Sequence, residues 1–298
     1  MSWYSFIAAL EQGLIFGLMS LGVYLTFRVL DFPDLTVDGS LPLGASVSAA
    51  IVATGGDPFL SVAAAFVAGG LAGAFTGIIS TKLRILNLLA GILTMIALYS
   101  INIRIMGSPN ISFLNRSTLF DGFRGLGVPG YAIPMIVALV AVLALKMALD
   151  LFLHTRFGLA LRATGDNPRM VAAQGVDTHT AIIAGVALSN ALVAVSGALL
   201  AQSQGSADVN MGVGTIVAGL ASVIIGEAFM GDRSVFVATA SVILGSVLYR
   251  MAIAAALSFR FGALSLNPSD LNLITAILVI GALTLPRVRN RLKSRALK

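Results

Sequence analysis

Long apolar runs separated by short clusters of glycine, proline and charge make up nearly the whole of this chain. A helix that crosses a bilayer needs about 20 mostly apolar residues. Runs of that kind predict spans near residues 4–27, 40–53, 58–79, 85–106, 131–153, 180–204, 213–230, 235–257 and 272–286. That makes nine spans with the second one short, and eight to ten are accepted because short apolar segments can be broken or re-entrant. The expected fold class is all-α: a polytopic transmembrane helix bundle forming a single domain over 1–298.

Composition agrees with the pattern. Of 298 residues, 57% are hydrophobic and 11% charged, whereas a soluble domain carries roughly a quarter charged residues. There is no cysteine, which excludes disulfides, zinc-thiolate sites and cysteine nucleophiles. The first span has no basic leader, carries Glu11 and has no small-residue cleavage site before Arg28, so it reads as retained. The net charge of +6 is spread over short loops and a tail, which argues for topology determinants and against a nucleic-acid surface.

Those basic residues orient the spans. The tail "RVRNRLKSRALK" holds six Lys or Arg and no acid, and the positive-inside rule places it in the cytoplasm. Counting back puts Arg28, Lys82 and Arg84, then Arg156, Arg162 and Arg169, and then Arg233 on the same side. Arg116, Arg124 and Arg260 fall outside, and with nine crossings the N-terminus is outside too. Small residues four apart, Gly13 and Gly17, then Gly69, Gly73 and Gly77, mark faces where helix backbones approach closely in lipid.

One polar-flanked segment stands out, "GDNPRMVAAQGV" at 165–176. Asn167 is a good N-cap, Pro168 suits the first helical position, and Gly175 can take the left-handed C-terminal position. These predict a helix over 168–174, with Gly165 and Asp166 before it and Arg169, Met170, Val171 and Gln174 within it. Seven residues are too few for an isolated helix, which needs roughly 12 to 15, so it requires a docking partner. Two partners fit the residues: the bilayer or its own bundle, with the helix lying at the interface, or a cytoplasmic protein that receives it as a knob.

At this point the chain resembles a known family. The stretch "RFGLALRATGDNPRMVAAQGVDTHTAIIAGVALSNALVAVSGALLAQ", 156–202, and the stretch "DFPDLTVDGSLPLGASVSA", 31–49, are similar to permease subunits of ATP-binding-cassette (ABC) importers of the branched-chain amino acid and monosaccharide permease family. "VDGSLPLGA" and "GVGTIVAGLASVIIGE" look most like a subgroup of amino-acid, often aromatic amino-acid, permeases. The resemblance implies that the short helix is the coupling helix seated in an ATPase groove. It also implies a second permease copy, two ATPase subunits holding ATP and Mg, and an extracytoplasmic substrate-binding protein. The chain itself would bind no cofactor. None of its four lysines, Lys82, Lys146, Lys293 and Lys298, lies in a phosphate-cradling glycine loop, so ATP hydrolysis would belong to another polypeptide.

Aligning "DLTVDGSLPLGASVSAAI" from Asp34 with "DVNMGVGTIVAGLASVII" from Asp208 suggests an internal repeat. Five crossings separate the two helix starts, so the segments run in opposite directions, as in inverted-topology transporters. The pseudo-repeats would be about 1–106 and 180–286, joined by the span 131–153 and the coupling loop 154–179. Asp34, Thr36, Asp38, Ser40, Asp208 and Asn210, at the two helix starts, together with Glu227, are the pathway candidates. The alternative is that Asp38 or Ser40, and Asp208 or Asn210, cap helices.

Ionisable residues inside spans are functional candidates by default. Glu227 could instead snorkel or pair with nearby Arg233, and Lys146 and Asp150, four apart, should pair on one helix face. Glu11 has no sequence-local partner. His154 and His179 lack metal-ligand spacing, and both lie at span edges, so neither a metal site nor hydrolytic chemistry is expected. The outer loop 107–130, with Arg116, Asp121 and Arg124, and Arg260 further on, could dock a binding protein through steered charge pairs or be an ordinary solvated loop. The committed reading is an importer permease for a small organic solute, an amino acid or related compound, in a bacterial inner membrane. The rival is an ion-coupled secondary transporter using Glu227 or Glu11. A channel or purely structural component is disfavoured by the capped helix.

Overall fold

The structure, a computed structural model, describes residues 3–123, 129–231, 233–258 and Gly281. Helix α1, Trp3–Tyr24, continues into a π-helical turn, Leu25–Val29. Helices α2, Val37–Ala53, α3, Pro58–Thr81, and α4, Asn87–Met106, follow. After the short strand β1, Asn110–Ser112, come α5, Ile133–His154, α6, Arg156–Asp166, and α7, Pro168–Ala173. The remainder is α8, Thr178–Gln204, strand β2, Ser206–Asp208, a 3-10 turn, Val209–Gly212, then α9, Thr215–Met230, and α10, Val235–Ser258.

Among the described residues, seven helices are long and apolar enough to cross a membrane, and α2 is a shorter apolar helix of 17 residues. These eight coincide with the first eight predicted spans. The ninth, 272–286, lies outside the described residues except for Gly281. The two short strands pair antiparallel, Asn110 opposite Asp208 and Ser112 opposite Ser206, and tie the end of α4 to the end of α8.

Local chemistry sets several boundaries. Asp57 accepts the N–H of Phe59 ahead of Pro58 at the start of α3, and Thr155 accepts the N–H of Gly158 at the start of α6. Asp177 accepts the N–H of His179 at the start of α8, and the Thr180 hydroxyl beside it holds its carboxyl below the usual carboxylate range.

The middle of the bundle is α1 and α8, whose later halves are almost wholly buried. Leu18, Leu21, Val23 and Leu25 of the first N-terminal helix and its π-turn pack with Leu41, Val186, Val193 and Leu199. The small-residue stripes fall on helix contacts as expected, and the structure supplies their partners. Gly13 and Gly17 face Val247 and Ile243 of α10, while Gly69, Gly73 and Gly77 face Ala194, Val186 and Ile183 of α8. The descending order of the partner numbers makes both contacts antiparallel. Ser246 donates to the carbonyl of Gly13 at 2.9 Å and Ser189 to that of Gly22 at 2.7 Å, so close approach is accompanied by interhelical hydrogen bonds.

Candidate functional site

The first centre is the segment around α7. Asn167 leaves the helical conformation, and its Oδ1 accepts the N–H of Met170 at 3.1 Å, with Pro168 next to it at the first helical position. The helix closes one residue before the expected end, with Gln174 as C-cap and Gly175 at φ +83°, a conformation that glycine adopts without strain. Its two apolar side chains divide. Met170 is 53% exposed, whereas Val171 is 2% exposed. Successive helical residues point about 100° apart, and Val171 faces inward, where α7 meets α6 and α8. Arg169 stays exposed beside Met170.

Gly165, near the end of α6, lies against the carbonyl of Val29 at the end of the π-turn, too close to admit a side chain. From the same turn, Arg28 Nε meets Glu227 Oε1 at 2.8 Å, near the end of α9. Glu227 therefore pairs with Arg28 rather than with Arg233, a partner distant in sequence that local reading overlooked. With the arginine side chain 54% exposed, this pair contributes at most about 1 kcal/mol, so it serves connection more than stability. The chain thus runs from α7 through α6 to the π-turn, and from there to α9.

The second centre lies where α2 and α9 begin side by side. Asp38 Oδ1 accepts the N–H of Ile216 at 2.8 Å and the hydroxyl of Thr215 at 2.9 Å, and Oδ2 accepts the N–H of Gly214 at 3.3 Å. A residue of one helix thus caps the N-terminus of another, where unpaired N–H groups favour a carboxylate. Pro42 has no N–H for the carbonyl of Asp38, and Gly212 packs tightly on that carbonyl.

The other pathway candidates are distributed unevenly. Asp34, Thr36 and Ser40 are fully buried in a closed network. Asp34 Oδ1 accepts the N–H of Thr36 at 2.8 Å, Asp34 Oδ2 accepts from Asn190 Nδ2 at 2.7 Å, and Ser40 donates to Asn190 Oδ1 at 2.7 Å. The hydroxyls of Thr36 and Thr76 share a hydrogen bond at 2.8 Å, and Thr76 donates to Thr94 at 2.9 Å. These groups face one another within the bundle. Asp208 accepts the N–H of Asn210 at 2.7 Å and Asn110 Nδ2 at 3.2 Å. Of the seven candidates, Asp38 and Asn210 line a pocket of about 380 Å³, together with Tyr99, Ser100, Asn102 and Val213. Glu227 does not belong to it.

Sequence reading singled out neither Asn102 nor Asn190, although an asparagine inside an apolar span is itself a signal. The same holds for Gln202, whose Oε1 accepts the N–H of Leu119 at 2.9 Å and whose Nε2 donates to Ser61 at 2.9 Å. Beside it, Arg116 and Asp121 line a polar pocket of about 540 Å³ near the β1–β2 pair, reached by Ser203. Arg124 and Arg260 lie outside the described residues.

Lys146 and Asp150 pair at 2.6 Å as expected, and the structure adds Thr239, which donates to Asp150 at 2.7 Å, and the ring of Phe236, 3.2 Å from the ammonium. Glu11 accepts a hydrogen bond from Ser203. Among the described residues, no three His, Asp or Glu side chains gather as a metal site.

The family model described as the permease component of the branched-chain amino acid transport system matches residues 5–285. The chain is 41% identical to the tyrosine transport system permease protein of Clostridioides difficile over 96% of this chain and 93% of that one. It is 30% identical to the ribose import permease protein RbsC of Escherichia coli K12 over 61% of this chain and 56% of that one. No solved structure matches. With the family model spanning nearly the whole helical bundle, the chain is an integral membrane protein that belongs to the branched-chain amino acid transport system permease family, the transport subunits of ABC-type systems.

Proposed function

We propose that this chain is the transmembrane permease of an ABC importer for an amino acid or related small organic solute, working as a dimer with two ATPase subunits and an extracytoplasmic binding protein. ATP and Mg would be held by the ATPase. The observation that carries this reading is the construction of α7. Asn167 caps it, Val171 anchors it to the chain's own bundle, and Met170 and Arg169 are left outward. A docking knob needs such an anchor, because a helix this short does not hold its shape alone.

For docking to drive transport, the ATPase must bind two permease states with different affinity. The contacts of Gly165 with the π-turn and of Arg28 with Glu227 supply a continuous route from α7 to α9, whose other end is held by Asp38 at the pocket. The similarity to a tyrosine permease over nearly the whole chain favours an amino acid over a sugar as cargo. The ion-coupled alternative asked for an intramembrane carboxylate free to take a proton, and it loses ground because Glu227 pairs with Arg28 and Glu11 is bonded to Ser203.

The inverted repeat belongs to the same proposal. α1 lies antiparallel on α10 as α3 does on α8. Asp34 and Asp208 behave alike: each takes the N–H two residues on through Oδ1 and an asparagine amide through Oδ2. The matching helix starts then flank a central passage of the kind found between inverted halves.

Two experiments test the reading. Pull-down of the purified chain with the ATPases encoded beside it should succeed, and Met170→Asp should weaken it about a hundredfold, as expected when a docked contact acquires an unpaired buried charge. No binding, or binding indifferent to Met170→Asp, would return the ion-coupled reading. Sidedness is testable without background because the chain has no cysteine. In right-side-out vesicles, Arg116→Cys should react with a membrane-impermeant maleimide and Met170→Cys should not, and inside-out vesicles should reverse the result.

A further inference from the structure

Between α3, α5 and α8 runs a groove of about 320 Å³ whose lining side chains are all apolar. α5 packs on α1 and continues into α6. On its groove side Ala141 and Ala144 stand opposite Val195 and Leu199 of α8, and two methyl groups are too short to close the gap. Phe59 and Val140, which also line the groove, are 58% and 61% exposed, so it opens sideways, into the region that lipid occupies around a span. An apolar gap of this kind does not hold water. In a bilayer the material that fills it is hydrocarbon.

The dimensions fit one leaflet. Along α5 the groove runs from Ile133 to Leu145, about 18 Å at the rise of an α-helix, and half of a bilayer core is about 15 Å. Its Ile133 end lies at the membrane boundary. Tyr131, just before it, is exposed and meets the ring of Tyr4 edge-on, with 5.6 Å between centroids, and exposed tyrosines of this kind collect at the membrane–water interface.

At that same end the groove adjoins the polar pocket of Arg116 and Asp121. Leu119 and Ile133 line the groove, and the next residues, Phe120 and Pro134, line the pocket. Gln202 fixes the junction through the N–H of Leu119. Within the pocket Asp121 is engaged by the N–H and the hydroxyl of Thr118, at 2.7 and 3.0 Å. Arg116 is exposed, and among the described residues no carboxylate pairs with it. A guanidinium matches the oxygens of a phosphate. An apolar groove one leaflet deep, opening at the interface beside an arginine, presents the two chemistries of a phospholipid in the order in which a phospholipid carries them.

We propose that this is a binding site for a single glycerophospholipid, with an acyl chain seated between α5 and α8 and the phosphate on Arg116. None of α3, α5 and α8 lines the pocket beside Asp38, so the site is separate from the proposed passage. The lipid wedges α5 at a fixed distance from α8, and α5 leads through α6 to α7.

The test is native mass spectrometry on the purified full chain with added dioleoyl phosphatidylethanolamine, and it needs no ATPase, so its outcome is independent of the pull-down above. The parent should retain one phospholipid. Glycerophosphoethanolamine, which lacks the chains, and dioleoylglycerol, which lacks the phosphate, should each bind at least about tenfold more weakly, and Arg116→Gln should weaken phospholipid binding by a similar factor, as expected for the loss of one charge-assisted hydrogen bond. Ala144→Trp, at an exposed position, should fill the groove and abolish retention. Added phospholipid should raise the unfolding midpoint of the parent, as any ligand of the folded state does, and leave that of Ala144→Trp unchanged. If Ala144→Trp does not fold, Arg116→Gln and the two lipid fragments still decide the matter. Retention by folded Ala144→Trp, equal binding of dioleoylglycerol, or indifference to Arg116→Gln would overturn the proposal. So would a disulfide-linked dimer formed through Ala144→Cys in native membranes, which would assign the groove to a second copy of the chain.

Discussion

Gly73→Ala will destabilise the bundle by about 3 kcal/mol, while Gly70→Ala, three residues earlier on the same helix, will be neutral or slightly stabilising. The two glycines differ only in what their missing side chains would meet. A Cβ on Gly73 would fall against the carbonyl of Val186, the Cβ of Asn190 and the Cα of Ala187. The first and last of these are backbone of α8 and cannot turn aside, so α3 and α8 would have to separate and lose the contact along their length. A Cβ on Gly70 would find Ala191 at 3.8 Å and the Ala187 carbonyl at 3.9 Å, ordinary van der Waals distances, and alanine is the better helix former. Thermal unfolding in detergent, read by light scattering or fluorescence-detected size exclusion, separates the two variants. Equal midpoints would show that α3 and α8 do not pack as described.

Asn190→Leu is expected to be comparably damaging, by about 3 kcal/mol or more, because it removes one of the hydrogen bonds that satisfy a carboxylate in an apolar interior. Asn190 Nδ2 serves Asp34 Oδ2, and Asn190 Oδ1 receives Ser40. Deleting that one side chain therefore leaves both a buried acceptor and a buried donor unmatched, each fully enclosed. The sequence volume of leucine is close enough that packing loss is a minor part of the effect. Adding Asp34→Asn to Asn190→Leu should recover part of the loss, since a neutral amide can still accept the N–H of Thr36 while the buried charge is gone. If Asn190→Leu unfolds at the temperature of the parent, the Asp34–Asn190–Ser40 network contributes nothing and its closed arrangement is wrong.

How far the sequence could be read depended on how far apart the interacting residues were. The cap of α7 was legible because Asn167, Pro168 and Gly175 act on their own neighbours. The side toward which Val171 turns was not, because that depends on where α6 and α8 lie. The glycine stripes of α1 and α3 were legible as surfaces of close approach, but spacing alone names no partner, and α10 and α8 emerge only from the packing. Glu227 was recognised as a charged residue in need of a counter-ion. Proximity in sequence favoured Arg233, whereas the fold brings Arg28 across 199 positions. The helix starts at Asp34 and Asp208 were found together through their similarity, yet most of the first group turned out to close on itself. Asn102 and Asn190 were passed over because a neutral amide is less conspicuous than a charge, although in an apolar span both are expensive to leave unpaired.

The cap that Asp38 places on α9 also bears on how the protein is made. Ribosomes deliver the N-terminal helices first, so α2 is in the membrane well before Gly214, Thr215 and Ile216 have been synthesised. Until they arrive, its carboxylate has none of the donors that satisfy it in the finished protein. When α9 emerges, the free N–H groups at its start find an acceptor already in place. The early helices thus wait as an unfinished template, and the later ones assemble on them. A polypeptide released before residue 214 would keep that uncompensated carboxylate, a defect that membrane quality control could recognise in an incomplete chain.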